Sequence, residues 1–197
     1  MPDRRFVLAT LAALALAAPA VEAAAIPRTP DDLAITVAGG KQVTLSQYKG
    51  KVVAMIFILT TCPHCQAAIQ CLIQDQNEFG PRGFQAIASA IEDHAQTNVP
   101  DFIRKFNPPF PVGYSGLKLS LDFMQHPPMV TPHMPLIAFI DRQGILQAQY
   151  EGMDSFFVED RMAKNLHDKI AALMGGRAPA AKGKNVPKAA VPPKKSI

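Results

Sequence analysis

The chain of 197 residues has no tryptophan, only 3 cysteines and 7% aromatic residues. Three cysteines are too few for a small scaffold held together by disulfides. Charged residues make up only 18% against 48% hydrophobic, which excludes a disordered chain for the bulk of the sequence. No apolar run approaches the about 20 residues of a spanning helix, so a multi-span membrane protein is excluded. No stretch alternates aromatic and basic residues as a nucleic-acid surface does. One globular domain with tails is the expectation at this length.

The net charge of +4 comes from 20 basic and 16 acidic side chains. Six of the bases (Arg177, Lys182, Lys184, Lys188, Lys194, Lys195) crowd into 177–197, which has no acid. The body, 26–176, carries 12 bases against 14 acids. Nucleic acid is therefore not an expected partner of the body.

The two ends stand apart in composition. Arg4-Arg5 precedes an apolar, Leu- and Ala-rich run from Phe6 to Ala18, with Pro19 and the small residues Ala23, Ala24 and Ala25 after it. This is the pattern of an export signal over 1–25, and it implies a periplasmic or otherwise exported protein in an oxidising compartment. The segment 177–197 is rich in Ala, Pro and Lys and lacks large apolar residues. It reads as a disordered, solubilising tail, with at most weak contact to anionic surfaces.

Between these ends the pattern alternates strands and helices over 26–176. Short extended pieces are expected over 31–37 and 42–45. Val52 to Leu59 is an unbroken apolar, β-branched run, the pattern of a strand buried on both faces. A helix follows Cys62-Pro63-His64-Cys65 with Cys65, Ile69, Leu72 and Ile73 on one face, and Pro63 falls in its first turn, where proline is tolerated. Further strands are expected at 83–91, near 110–112, at 136–140 and at 145–150. Helices are expected after Thr97 or Asn98, over 117–124, and from an Asp154 cap to about Met174. The order is that of a three-layer α/β sandwich with extra N-terminal strands and one inserted segment.

Cys62 and Cys65 carry the chemistry. Cysteines at i and i+3 across a strand-to-helix junction lie within disulfide reach. The first meets the unpaired N–H groups and positive dipole end of the helix, which favour a thiolate nucleophile. A protonated His64 would strengthen that effect. Cys65, one turn further in, is placed to attack a mixed disulfide and release product. A zinc site would need two further ligands at suitable spacing, and no second cysteine pair exists. The expected cofactor is none beyond a redox-active Cys62–Cys65 disulfide.

Three segments in order (Leu45 to Val53, Cys62-Pro63-His64-Cys65, and Met134-Pro135 through Gly144) resemble the exported TlpA/ResA-like thioredoxins. The resemblance spans roughly 30–173. It implies a thioredoxin-like fold and thiol–disulfide exchange with protein thiols or disulfides and a redox partner. It also implies Cys62 as attacking thiol, Cys65 as resolving thiol, and a cis-proline at Pro135, with Met134, Pro135 and Thr61 against the substrate. The Pro63-His64 dipeptide is similar to that of the oxidant DsbA. The chain departs from the pattern at three positions. Thr61 stands where an aromatic residue is usual. Ile56 and Ala68 stand where related proteins carry an acid six residues before or after the first cysteine. Proton transfer at Cys65 then falls to solvent, His64 or another group.

The segment 124–135 holds three methionines and two histidines in 12 residues. Soft donors of this kind suit Cu(I), so a copper-delivery protein using Cys62, Cys65, His133 and Met134 is the alternative. Prolines that stiffen a substrate groove lined by adaptable methionines are the plainer account. A peroxiredoxin-like peroxidase fits less well, because Leu59 stands where a threonine is required. Cys71 is expected to be a buried, inert thiol, and His94 and His167 to be surface residues.

Overall fold

A computed structural model describes residues 24–175. The expected export signal over 1–25 lies outside the described residues except for its last two, and the expected disordered tail over 177–197 lies outside them entirely. The fold is the expected thioredoxin-like sandwich. Its elements are β1 (Ala34–Val37), β2 (Gln42–Thr44), β3 (Val52–Ile58), α1 (Pro63–Phe79), β4 (Phe84–Ala90), α2 (Ala95–Phe106), β5 (Val112–Tyr114), α3 (Leu117–Met124), β6 (Leu136–Ile140), β7 (Leu146–Tyr150) and α4 (Met162–Leu173). The seven strands form one sheet in the order β2-β1-β5-β4-β3-β6-β7.

β3 lies inside the sheet, parallel to β4 and antiparallel to β6. All seven of its residues are buried, as its unbroken apolar run requires. Alternate side chains feed two cores. Val52, Ala54, Ile56 and Ile58 join α1, α2 and α4 on one face; Val53, Met55 and Phe57 join α3 on the other. Each large side chain buried this completely contributes about 1.5–3 kcal/mol relative to exposure. The parallel pairing with β4 and the antiparallel pairing with β6 bring three chain segments together at the C-terminal end of β3. Those segments are the loop before α1, the loop after β4 and the loop before β6.

Three boundaries differ from the sequence pattern. α2 starts at Ala95, before Thr97 or Asn98, and Pro100 lies inside it on the exposed side. The Thr97 hydroxyl donates back to the His94 carbonyl (2.7 Å) and so does not cap the helix. β5 begins at Val112, where its pairing with β4 starts, and Gly113 and Tyr114 pair with β1. The last helix is broken. Asp154 caps a 3-10 turn, Ser155–Phe157, by accepting from the Phe156 N–H (2.8 Å), and α4 starts only at Met162. Phe156 and Phe157 are adjacent yet both buried. One helical face cannot bury two consecutive side chains, and Phe156 stacks on Tyr150 with ring centroids 3.9 Å apart.

Candidate active site

The turn from β3 into α1 is built locally. Cys62 is the N-cap residue in extended conformation, Pro63 is the first helical residue, and the Cys62 carbonyl accepts the first helical bond from the Gln66 N–H (3.0 Å). The Cys62 N–H donates to the Leu59 carbonyl (3.1 Å), which folds the loop tightly over the strand end. Thr61, Pro63 and His64 are exposed and Cys62 is partly buried, whereas Cys65 is fully buried. Neither cysteine is in a disulfide, and the two thiols are close enough to influence one another. Burial pushes the Cys65 thiol far above its ordinary range. A backbone hydrogen bond from Leu59 opposes this in part, and Cys62 and the Glu92 carboxylate add to it.

The loop before β6 arrives from the other side. The β3–β6 register pairs Phe57 with Leu136; extended by two positions, it sets Pro135 beside Ile58 and Met134 beside Leu59. The Met134–Pro135 peptide is cis. Pro135 is buried, Met134 is partly buried against both cores, and His133 is exposed. Gly152, just past β7, holds this loop: its N–H donates to the His133 carbonyl (2.7 Å). A Cβ on Gly152 would lie 2.2 Å from the Met134 carbonyl oxygen, so only glycine lets the two backbones meet. His126, on the same connection, pairs with Glu151 at 3.4 Å.

Glu92 completes the site, and nothing in the sequence pattern marked it. It follows β4, and the parallel register that pairs Ile58 with Ala90 sets it beside Thr60. Its Oε1 accepts from the Thr60 N–H (3.0 Å) and from the Thr60 hydroxyl. Gln66 Nε2 donates to the Thr60 carbonyl (2.8 Å), and Lys105 Nζ donates to Gln66 Oε1 (3.2 Å). The loop in front of Cys62 is thus tied to β4, α1 and α2 at once.

Two expectations away from this site are corrected. His167 is not a surface residue; its Nδ1 lies 2.9 Å from Asp75 Oδ1, and Asp75 is only 5% exposed. Burial pushes the Asp75 carboxyl up to about 6, with His167 pulling it back. Cys71 is partly exposed rather than buried, although burial and the nearby Asp75 carboxylate push its thiol up to about 11. Among the described residues, no group of three or more His, Cys, Asp or Glu side chains could hold a metal ion. Of the four residues in the copper alternative, His133 is exposed and contributes its carbonyl oxygen, not its ring, to the contact with Gly152.

The fold, with a cysteine pair at the N-terminus of α1, is that of a thioredoxin-like protein. The chain belongs to the Redoxin family, whose pattern matches residues 17–164. Solved structures with this fold include a thiol:disulfide interchange protein of the thioredoxin family from Chlorobium tepidum (22% identical, TM-score 0.63), which covers 78% of this chain and 100% of its own. A thiol:disulfide interchange protein from Bacteroides sp. (19%, TM-score 0.62) covers 82% and 95%. A secreted Mycobacterium tuberculosis disulfide oxidoreductase (17%, TM-score 0.58) covers 72% and 96%. Among curated proteins, Probable glutathione peroxidase 8-A of Xenopus laevis is 37% identical over 54 residues, 27% of this chain. The chain spans about a quarter (26%) of the length of that relative. Among the described residues, no helix is long and apolar enough to cross a membrane.

Proposed function

We propose that the protein is an exported thiol–disulfide oxidoreductase that exchanges electrons with protein dithiols or disulfides through Cys62 and Cys65. The observation that carries this reading is the asymmetry of the pair. One sulfur belongs to a partly exposed residue at a helix N-terminus, and the other to a fully buried residue one turn further in. In the reducing direction, the Cys62 thiolate attacks a substrate disulfide, one substrate sulfur leaves as a thiolate, and a mixed disulfide forms. Cys65 then attacks Cys62 Sγ, the second substrate sulfur leaves, and the Cys62–Cys65 disulfide remains. Two electrons pass to the substrate; the oxidising direction is the reverse.

Thr61, Met134 and Pro135 form the substrate-facing rim. The Met134 backbone, next to Leu59 across the sheet, offers polar groups to an extended peptide. Pro63 and His64 are the exposed residues between the two sulfurs and tune their potential. Export rests on the N-terminal pattern over 1–25, and the mature body on 26–176, with the basic tail following.

Single cysteine variants test the reading. Cys62→Ser is expected to abolish disulfide reduction, and Cys65→Ser to accumulate mixed disulfides with substrate on non-reducing gels. Undiminished turnover in Cys62→Ser overturns it. The reduction potential of the pair gives the direction: about −120 mV marks an oxidant and about −270 mV a reductant.

A further inference from the structure

Cys65 has a proton to lose and no carboxylate at either position where related proteins place one. Ile56 and Ala68 stand there, both fully buried and both without a titratable group. Resolution of the mixed disulfide needs the Cys65 thiolate, yet burial opposes its formation. The acceptor must come from elsewhere in the fold.

The β3–β4 register brings one carboxylate to this end of the sheet. Glu92 spends one oxygen on Thr60, taking both its N–H and its hydroxyl. The other, Oε2, is buried and has no hydrogen-bond partner. A buried carboxylate oxygen left unpaired is costly and calls for a reason. Gln66, next to Cys65 in α1, holds the carbonyl of the same Thr60, which brings Glu92 and Cys65 to one end of the sheet. A buried carboxylate oxygen left free at this end of the sheet is placed to take up a thiol proton. The other titratable or charged groups around it are Cys62 at the start of α1, Asp93 and His94 from its own loop and Tyr114 from β5. Lys105 on α2 reaches the same loop through Gln66. Glu92, Asp93, His94, Tyr114 and Ser115 also line an open groove of about 580 Å³, a route for protons to solvent.

Building on the oxidoreductase reading above, we propose that Glu92 Oε2 is the acceptor for the Cys65 proton, while Oε1 fixes the loop that presents Cys62. As Cys65 Sγ attacks Cys62 Sγ, its proton passes to Glu92. The Cys62–Cys65 bond forms, the bond from Cys62 to the substrate sulfur breaks, and the substrate leaves as a thiolate. Glu92 then returns the proton to solvent through the groove. In the reverse direction Glu92 donates that proton to Cys65.

The test is a single turnover of the reduced protein, carrying Cys71→Ala, with Ellman's reagent. Attack by Cys62 releases one thionitrobenzoate and resolution by Cys65 releases a second, so the two steps are read separately. In Glu92→Gln the second phase is expected to slow, relative to the first, by about 100-fold at pH 7. Its rate should become proportional to hydroxide, and Glu92→Asp should restore the levelled pH profile of the parent protein. An unchanged second phase and pH profile in Glu92→Gln overturns the proposal. So does a Glu92→Asp profile identical to that of Glu92→Gln, which would mark a purely structural role. Absence of the first phase in the parent protein overturns the oxidoreductase reading itself. If Glu92→Gln does not fold, the carboxyl carbon of Glu92 can be titrated by NMR in the parent protein. Its titration should differ between the dithiol and disulfide forms, and identical curves refute the assignment.

Discussion

Replacing Gly152 by alanine probes how closely the loop before β6 must approach the end of β7. The added Cβ would sit 2.2 Å from the Met134 carbonyl oxygen and 3.0 Å from that of His133. Ordinary contact begins near 3.4 Å, so the Met134 carbonyl must retreat by about 1.2 Å. Both obstacles are backbone, and the same loop is tethered by the Gly152 N–H to His133 bond, so no flexible side chain can absorb the shift. Forced overpacking of this kind costs about 1–3 kcal/mol. For a body of this size that corresponds to a fall in Tm of about 2–12 °C. The effect on turnover should exceed the effect on stability, because the displaced residue is the proposed substrate rim. A misplacement of about 1 Å at a reacting centre can cost about 100-fold. Thermal unfolding followed by circular dichroism, with disulfide reduction on the same samples, measures both. Reaction of Cys62 with a small thiol reagent should be spared, since α1 is untouched. A Gly152→Ala protein with parent-like Tm and parent-like turnover of a protein disulfide would refute the close packing of this loop and its role.

Two further outcomes follow from the α1–α4 interface. Asp75 holds its proton up to about pH 6 when folded, against about 3.9 in an unfolded chain. The folded state therefore binds that proton more tightly, and the stability it confers is lost as pH rises from about 4 to about 6. Asp75→Asn should gain in urea midpoint relative to the parent across this window, and a constant difference between the two proteins would contradict it. Cys71, whose thiol is pushed up to about 11, should alkylate slowly with iodoacetamide at pH 8. Mass spectrometry showing Cys71 modified as fast as a free cysteine would contradict the raised pKa of its thiol.

Much of the site was legible because it is local. The turn Thr61-Cys62-Pro63-His64-Cys65 lies between an apolar run and an amphipathic helix, and strand, cap and helix all follow from neighbours in the chain. The last helix misled for a related reason. Phe157 and Met162 are five positions apart, too far for one helical stripe, and Phe156 beside Phe157 already argued against a continuous helix. His167 was misjudged because its partner, Asp75, is 92 residues away on another helix.

The amino-acid order by itself determined the cysteine pair, its place at a helix start, the buried central strand and the family resemblance. Those features depend on periodicity and on residues within a few positions of one another. Only the tertiary structure decided that Glu92 meets Thr60, that Gly152 closes on Met134, and that Asp75 is buried against His167. These contacts follow from how strands pair and helices dock. A shift of register by one residue would turn each such side chain to the opposite face, and no local pattern encodes that choice.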